Sequence, residues 1–298
     1  MFPHLRSVNE LSPLEGEYGY LALLRHVLEY GQETEDRTGV GTLSHFGAQI
    51  RFDLSKGFPL FTTKRVPFKS VLSELLWFLE GSTDERRLAE IHFGKPRSEL
   101  ADKTTIWTAN ATADYWEPEY EGDLGRVYGA QWVNWRTSFG TTVNQIENLI
   151  EGLKTNPHSR RHILQAWNPG ELSLMALPPC HMMVQFYVRD NKLSCMYTMR
   201  SNDMFLGHPF NTASYALLTH MLAHVCGYEV GEVIYSGGDV HIYKNHVDQV
   251  KEQLTREPRR LPILRINGAH EELADFNMES FSIDGYDPHP AIKAEMAV

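Results

Sequence analysis

The chain has 298 residues, of which 42% are hydrophobic and 22% are charged. These proportions are typical of a globular protein and exclude a disordered chain or a coiled coil. Its 28 basic and 38 acidic residues leave a formal net charge of −10, which argues against nucleic acid as a partner, because phosphate contacts need a basic surface. The apolar runs are too short to cross a bilayer, and the first residues lack the pattern of a signal peptide. We therefore expect a soluble, cytoplasmic protein with no membrane partner.

In chain order, the apolar spacing predicts a helix over residues 18–31, a strand over 42–54 and a helix over 69–80. Residues 84–122 are polar and irregular. We interpret them as a long excursion or small subdomain rather than a linker, because their aromatic side chains need burial. These side chains are Trp107, Tyr115, Trp116 and Tyr120.

The rest of the chain is predicted to combine helices with short strands. In order, these are a helix over 142–154, strands over 162–168, 182–189 and 193–199, an apolar helix over 212–226, and strands over 232–236 and 240–243. Asn211 or Thr212 is positioned to cap the apolar helix, and the GGD sequence is expected to form a turn between the last two strands. Strands mixed with long helices, without a regular βαβ repeat, indicate an α+β fold around a large sheet.

The three cysteines, Cys180, Cys195 and Cys226, are few and widely spaced, and the sequence contains no CxxC pair. The pattern predicts neither a disulfide framework nor a thiolate zinc site, and reduced thiols fit a reducing compartment. Cys180 follows two prolines and precedes a predicted strand, a rigid arrangement that can aim a nucleophile. A thiolate needs nearby positive charge, for which His181 and the arginines are candidates. The residues alone favour this role and a buried structural cysteine about equally.

Four arginines are candidates for holding an anion, because arginine makes bidentate, permanently charged contacts with phosphate. They are Arg37, Arg160, Arg161 and Arg200, the last followed by Ser201. For any one of them taken alone, a solvated surface arginine is the favoured interpretation. The TGVG sequence beside Arg37 lacks the spacing and the Lys-Ser/Thr pair of a P-loop.

Three further positions each carry a functional and a structural interpretation. Asn211 could read a uracil edge, since its amide both donates and accepts, or it could cap a helix. His241 and Tyr243 share one strand face, so they could bind a sugar hydroxyl or simply be polar strand residues; a metal pair with His246 lacks a regular acidic ligand. Glu74, on an apolar helix face, could relay protons with a raised pKa or form a buried ion pair.

The candidate residues stand in the order typical of thymidylate synthases, and the chain resembles that family from residue 17 onward. The segments that carry the resemblance include DRTGVGTLSHFG (36–47), ELLWFLEGST (74–83), RRHILQAWNP (160–169), MALPPCH (175–181), RSNDMFLGHPFNTASYALLTHM (200–221) and GGDVHIYKNH (237–246). The resemblance implies one catalytic domain over residues 1–298, with a variable excursion at about 84–122. It also implies a large mixed sheet flanked by helices, and a homodimer whose sheets pack back to back.

The resemblance further implies a site for dUMP and 5,10-methylenetetrahydrofolate, without a metal. Cys180 would add to C6 of the uracil ring, and Glu74, Arg200, Asn211, Asp203, Tyr128 and His181 would complete the catalytic group. Arg37, Arg200 and Ser201 would hold the 5′-phosphate, with Arg160 and Arg161 reaching it from the second subunit. Asn211 would pair with the uracil, and His241 and Tyr243 with the deoxyribose hydroxyl. The folate would contact Lys64, Trp107, Asp203, Leu206, Gly207, Phe210 and Val298.

Departures from the family pattern leave two reactions open. Thr198, Met199 and His208 differ from the usual residues, and the run MRSND also resembles phage deoxycytidylate hydroxymethylases. Those relatives typically carry Asp where this chain has Asn211, so cytosine is disfavoured as the base. Water in place of hydride would make a dUMP hydroxymethylase, and His208 could admit that water or be a solvent-facing residue at a tolerant position. The retained Trp107 and Leu177 favour hydride transfer and hence dTMP. Regulatory binding of RNA is a third interpretation, against which the acidic balance argues.

Overall fold

A mixed β-sheet organises the fold of this computed structural model, which describes residues 14–36 and 38–296. The strands are β1 (Leu14–Glu15), β2 (Gln32–Thr34), β3 (Thr42–Asp53), β4 (Trp135–Arg136), β5 (Thr142–Val143), β6 (Ile163–Gln165), β7 (His181–Arg189), β8 (Lys192–Asp203), β9 (Glu229–Tyr243), β10 (Ile263–Ile266) and β11 (Phe281–Asp284). Within the described residues, seven strands form the main sheet in the order β1-β3-β9-β8-β7-β6, with β2 also paired to β3. Strands β8 and β9 run parallel, whereas β3–β9 and β7–β8 are antiparallel.

Helices cover one face of this sheet. They are α1 (Gly16–Tyr30), α2 (Phe68–Leu79), α3 (Glu85–Phe93), α4 (Thr108–Ala111), α5 (Tyr128–Val133), α6 (Gln145–Thr155), α7 (Gly207–Cys226) and α8 (Val247–Gln253). The long, apolar α7 packs on β8, β9 and α2. Alternate residues of β8, such as Cys195 and Tyr197, are buried against the helices, while those between them are half-exposed on the other face. The fold is therefore the α+β class that the sequence predicts.

The strand register brings four chain segments together at one end of the sheet. His181 at the start of β7 pairs with Met199 of β8. Ser201 and Asp203 near the end of β8 pair with Asp239 and His241 near the end of β9. The start of β3 reaches the same end, because Thr42 pairs with Tyr243. Residues far apart in sequence can therefore contribute to one site.

The predicted helices over 18–31, 69–80 and 142–154 are confirmed as α1, α2 and α6, and the strand over 42–54 as β3. Helices α1 and α6 each bury one face, so their sequence periods reflect that face, whereas α2 is buried on all sides from Val71 to Phe78. Strands β7 and β8 contain the two predicted strands and extend beyond them.

The expected turn at the GGD sequence is wrong, because β9 runs unbroken through Gly237 and Gly238. Gly237 pairs with β3 on one side and β8 on the other. A Cβ atom there would lie 2.1 Å from the Tyr235 hydroxyl, and one on Gly238 would lie 3.0 Å from the carbonyl oxygen of Arg200. The glycines thus permit a close approach of neighbouring groups rather than a turn.

The expected cap of the apolar helix is also wrong. Helix α7 begins at Gly207, without a side-chain cap, so Asn211 and Thr212 lie inside it. Pro209 is tolerated because it falls in the first turn, where a missing N–H costs nothing.

The expected burial of the aromatic side chains in residues 84–122 holds for Trp107, which is buried, whereas Tyr115 and Tyr120 are 58% and 47% exposed. None of the helices within the described ranges has the length and apolar character needed to cross a membrane.

Candidate active site

Cys180 is half-buried at the start of β7, and hydrogen bonds fix its backbone on both sides. Its N–H donates to the Tyr128 hydroxyl over 2.7 Å, and its carbonyl oxygen accepts from the Arg200 N–H over 2.9 Å. Because α5 and β8 supply these partners, the thiol is positioned by tertiary structure as well as by the two preceding prolines.

The Arg200 guanidinium lies against the same loop. Its Nε and Nη2 donate to the carbonyl oxygens of Pro179 and Pro178 over 2.8 and 2.9 Å, and Nη2 is 3.8 Å from Cys180 Sγ. Its Cζ lies 5.3 Å from the centre of the Trp167 ring. A fixed cation beside sulfur favours the thiolate, the form that attacks carbon.

His181 does not supply this positive charge, although the sequence makes it a candidate. Its ring is buried and stacks on Tyr128 with centroids 3.9 Å apart, and its Nδ1 lies 2.6 Å from the Tyr215 hydroxyl. Burial lowers the pKa of His181 to about 3, so the imidazole is neutral at physiological pH. His181 instead supports the tyrosine that holds Cys180.

Glu74 is the carboxylate of the site. It is buried on α2, and burial raises its pKa to about 7. Trp107 Nε1 donates to Glu74 Oε1 over 2.8 Å, and no ion pair within the described part of the chain includes Glu74. The alternative of a buried ion pair therefore fails, and a carboxyl group that exchanges protons near neutrality remains.

The same end of the sheet gathers further polar groups next to this centre. His241 is buried, and its Nδ1 lies 3.1 Å from Asp239 Oδ1. The Ser44 hydroxyl donates to the same oxygen over 2.9 Å. The rings of His241 and Tyr243 are 5.2 Å apart, edge to face. Because Ser201 pairs with Asp239, these side chains border the segment that carries Arg200.

Asn211 projects from the first turns of α7 and is half-buried. Its Oδ1 accepts from Asn202 Nδ2 over 3.3 Å. His208, which departs from the usual family residue, lies one turn earlier on α7 and is fully buried, so the alternative of a solvent-facing histidine is wrong.

The described folate candidates come from three parts of the chain: the end of β8 and the start of α7, the residue before α4, and the segment between β3 and α2 that carries Lys64. Leu206 and Phe210 are half-buried and pack on the core. Asp203 Oδ1 accepts from the backbone N–H groups of Phe205 and Leu206 over 2.8 and 3.2 Å. Lys64 is buried and donates to the Phe205 carbonyl oxygen, with its Nζ 3.6 Å from the Phe205 ring centre. Burial lowers the pKa of Lys64 to about 8.

Two of the predicted phosphate ligands lie away from this centre. Arg160 and Arg161 are exposed and precede β6, whose Ile163 pairs with Gln185 of β7. Gln185 is four residues beyond His181, or about 13 Å along the strand. Within one chain, β6 therefore begins well along the sheet from the end that carries His181. Arg37 and Val298 lie outside the described residues.

Three residues of the site escape the sequence analysis: Asn202, Trp167 and Tyr215, which contact Asn211, Arg200 and His181 respectively. Asn202 stands between two candidates in the run RSND, which was a usable signal. Trp167 and Tyr215 give no signal, because nothing local shows which aromatic side chains support a site.

The family model described as Thymidylate synthase matches residues 18–298, nearly the whole chain. The match contains every described element of the site, from Glu74 on α2 to Tyr243 on β9. It agrees with the mixed sheet flanked by helices. The chain belongs to the thymidylate synthase family, which transfers a one-carbon unit to dUMP with methylenetetrahydrofolate as co-substrate.

Proposed function

We propose that this chain is a methylating enzyme that converts dUMP to dTMP through a covalent bond between Cys180 and C6 of the uracil ring. The observation that carries the proposal is the fixed arrangement of Cys180 between Tyr128 and Arg200. A thiolate there can donate its electron pair to C6, which makes C5 electron-rich and able to attack a one-carbon unit. Return of the pair to sulfur releases the product.

The remaining residues stabilise and steer this chemistry. Arg200 and Ser201 bind the phosphate together with Arg37, while His241 and Tyr243 bind the sugar hydroxyl. Asn211 pairs with the uracil edge, where negative charge develops at O4. Glu74, with a pKa of about 7, holds and moves the protons that this step displaces.

The folate is assigned to the mouth formed by Trp107, Asp203, Leu206, Gly207 and Phe210. Partly exposed apolar side chains suit a planar ring, and the half-exposed Asp203 carboxylate suits the N–H donors at its edge. The co-substrate supplies the one-carbon unit and, in the methylating reaction, the hydride that reduces it. In the described conformation Lys64 is engaged with Phe205, so a contact with the folate tail requires its amine to leave that carbonyl oxygen.

We also propose a homodimer in which Arg160 and Arg161 reach the phosphate of the partner's site. Their exposure and their distance from Arg200 in one chain support this arrangement. The half-exposed face of β8 is the surface on which a second sheet would pack. The reduced thiols of Cys195 and Cys226 support the cytoplasm as the proposed compartment.

Hydride transfer rather than hydration is the proposed last step. Trp107, buried at 7% exposure beside Glu74, supports a site that excludes water. The full burial of His208 supports the same conclusion, because a side chain enclosed beneath the site does not open a path for solvent. Thr198 and Met199 remain the features that favour the second candidate, a dUMP hydroxymethylase.

One assay separates the two reactions. The protein is incubated with dUMP and methylenetetrahydrofolate, and both the folate product and the nucleotide mass are followed. We expect dihydrofolate and a nucleotide heavier than dUMP by CH2. Tetrahydrofolate with a nucleotide heavier by CH2O would establish the hydroxymethylase instead, and no product with dUMP would refute both.

A further inference from the structure

A chain of hydrogen-bonded side chains runs beneath Asn211. The Tyr197 hydroxyl lies 2.8 Å from Thr212 Oγ1, which lies 3.4 Å from His208 Nε2. His208 Nδ1 lies 3.1 Å from Asn202 Oδ1, and Asn202 Nδ2 donates to Asn211 Oδ1 over 3.3 Å. The first four residues are at most 2% exposed. These hydrogen bonds therefore link the core of the sheet to the Asn211 amide, for which pairing with uracil is proposed above.

Two aromatic rings pack against His208 and fix its orientation. Its ring stacks on Tyr20, with centroids 5.3 Å apart and planes inclined by 8°, and meets the edge of Tyr235 at 4.4 Å. Burial lowers its pKa to about 3. A neutral imidazole has one N–H, so one ring nitrogen donates and the other accepts.

The Tyr197 hydroxyl, at one end of this series of hydrogen bonds, determines which group donates in each of them. Across the part of the chain that the structure describes, Thr212 is the hydrogen-bond partner of the Tyr197 hydroxyl. Tyr197 must donate to Thr212, because its buried proton would otherwise lack an acceptor. Thr212 then donates to His208 Nε2, and His208 donates from Nδ1 to Asn202 Oδ1. This orientation leaves Asn202 Nδ2 as the donor to Asn211 Oδ1.

We propose that His208 and Asn202 are positioning residues that fix the Asn211 amide and thereby make the site select uracil over cytosine. Uracil offers a donor at N3 and an acceptor at O4, whereas cytosine offers an acceptor at N3 and an amino donor at C4. A flip that exchanges the positions of the amide oxygen and NH2 group would make Asn211 favour cytosine instead. Turning Asn211 over would place its NH2 group against that of Asn202, two donors facing each other, and this opposes the exchange. The inference rests on the proposed function of Asn211.

The test measures dissociation constants of dUMP and dCMP by equilibrium dialysis, so that it does not depend on turnover. His208→Leu removes the donor to Asn202 while keeping an apolar side chain in the cavity. We expect the preference for dUMP over dCMP to fall at least about tenfold, the equivalent of one lost hydrogen bond. His220→Leu is the matched control, because His220 lies on the same helix with a neutral, buried ring nitrogen, and it should leave the preference unchanged.

A second variant keeps the inference decidable where His208→Leu does not fold. Asn202→Asp keeps the acceptor for His208 but replaces the donor to Asn211 with an acceptor, which should turn the Asn211 amide over. We expect dCMP binding to strengthen relative to dUMP by at least about tenfold. Asn110→Asp, at a buried asparagine outside this hydrogen-bonded chain, controls for the added carboxylate.

The outcomes separate the inference from the function on which it rests. A wild-type protein that turns over and prefers dUMP, with folded variants that keep the wild-type preference, overturns the inference alone. A wild-type protein without preference for dUMP overturns both the inference and the proposed role of Asn211.

Discussion

Burial controls the protonation of two titratable side chains at the site. Glu74 and His181 are both enclosed, and burial disfavours the charged form of each. The pKa of Glu74 is therefore raised to about 7 and that of His181 lowered to about 3. One group exchanges protons near neutrality while the other stays neutral, which suits a proton relay beside a structural support.

Glu74→Gln tests this assignment through stability. The native pKa of about 7 lies above the ordinary value of 4.5, so the native state binds an extra proton between these pH values. The free energy of unfolding should therefore fall as pH rises through that window. Gln keeps an acceptor for Trp107 but cannot ionise. The free energy of unfolding of the variant, relative to that of wild type, should therefore rise by up to about 3 kcal/mol from pH 5 to pH 8.

Urea unfolding at pH 5 and pH 8 measures this difference. Glu29→Gln, at an exposed position of α1, is the control and should behave as wild type at both pH values. The same variant pair tests catalysis: Glu74→Gln should lower kcat by about 10² or more and lose the wild-type change in kcat near pH 7. An unchanged pH dependence of both quantities would show that Glu74 is not the titrating group.

At the scale of elements, the loop before α5 carries a backbone constraint. Gly125 has φ +68°, and a Cβ there would lie 2.2 Å from the Leu174 carbonyl oxygen. The neighbouring Arg126 N–H donates to that oxygen over 2.7 Å. This contact ties the segment leading to Cys180 to the helix that carries Tyr128.

Gly125→Ala should therefore lower the free energy of unfolding by about 2–5 kcal/mol, from left-handed strain and overpacking together. Gly94→Ala is a matched control, because its φ is +67° with no atom within 4 Å of the added Cβ, and it should cost only about 1–2 kcal/mol. Denaturant unfolding of both variants gives the comparison. Equal losses would mean that the close approach to Leu174 contributes nothing.

Elements with one buried face were predictable from the sequence, and those governed by close approach were not. The periods of α1 and α6 record burial directly, and the apolar run of α2 reflects burial on all sides. Gly237 and Gly238 suggested a turn, although they serve contacts with β3 and β8. The predicted start of the apolar helix at residue 212 was too late, since α7 begins at Gly207 and holds Pro209 in its first turn, where a proline is tolerated.

The site shows the same division. Cys180 and Arg200 were predictable, because the prolines and the charge are local features. The burial of His208 was not, since its position on α7 relative to Tyr20 and Tyr235 depends on the packed sheet. The link from His208 through Asn202 to Asn211 appears only when β8 and α7 are placed side by side.

At the scale of the molecule, a chain with a net charge of −10 must concentrate its cations to bind a nucleotide. Arg200 is at the centre, whereas Arg160 and Arg161 precede β6, which in the same chain pairs with β7 about 13 Å along the strand from His181. A second subunit is the proposed means of bringing them to a phosphate.

Mixing two inactive variants tests this arrangement. Cys180→Ser lacks the nucleophile, and Arg160→Ala/Arg161→Ala lacks the arginines donated to the partner. A hybrid dimer would contain one site with both parts intact, so random exchange of subunits should restore about a quarter of wild-type activity at low dUMP. A mixture of Cys180→Ser with Glu74→Gln should stay inactive, because both residues belong to the same chain's site.

If the mixture is no more active than the two separate variants, although subunit exchange has been demonstrated, the shared site is contradicted. Recovery in the control mixture as well would show that the assay does not report which chain supplies each residue.

The most direct test of the account is a covalent trap at Cys180. 5-Fluoro-dUMP cannot lose fluorine from C5 as it would a proton, so the bond between sulfur and C6 should persist in the presence of methylenetetrahydrofolate. Intact mass and peptide mapping should show one nucleotide and one folate added to the peptide with Cys180 in wild type and in Cys226→Ser, and none in Cys180→Ser. Absence of a covalent product in wild type, or its attachment to another residue, would contradict the account.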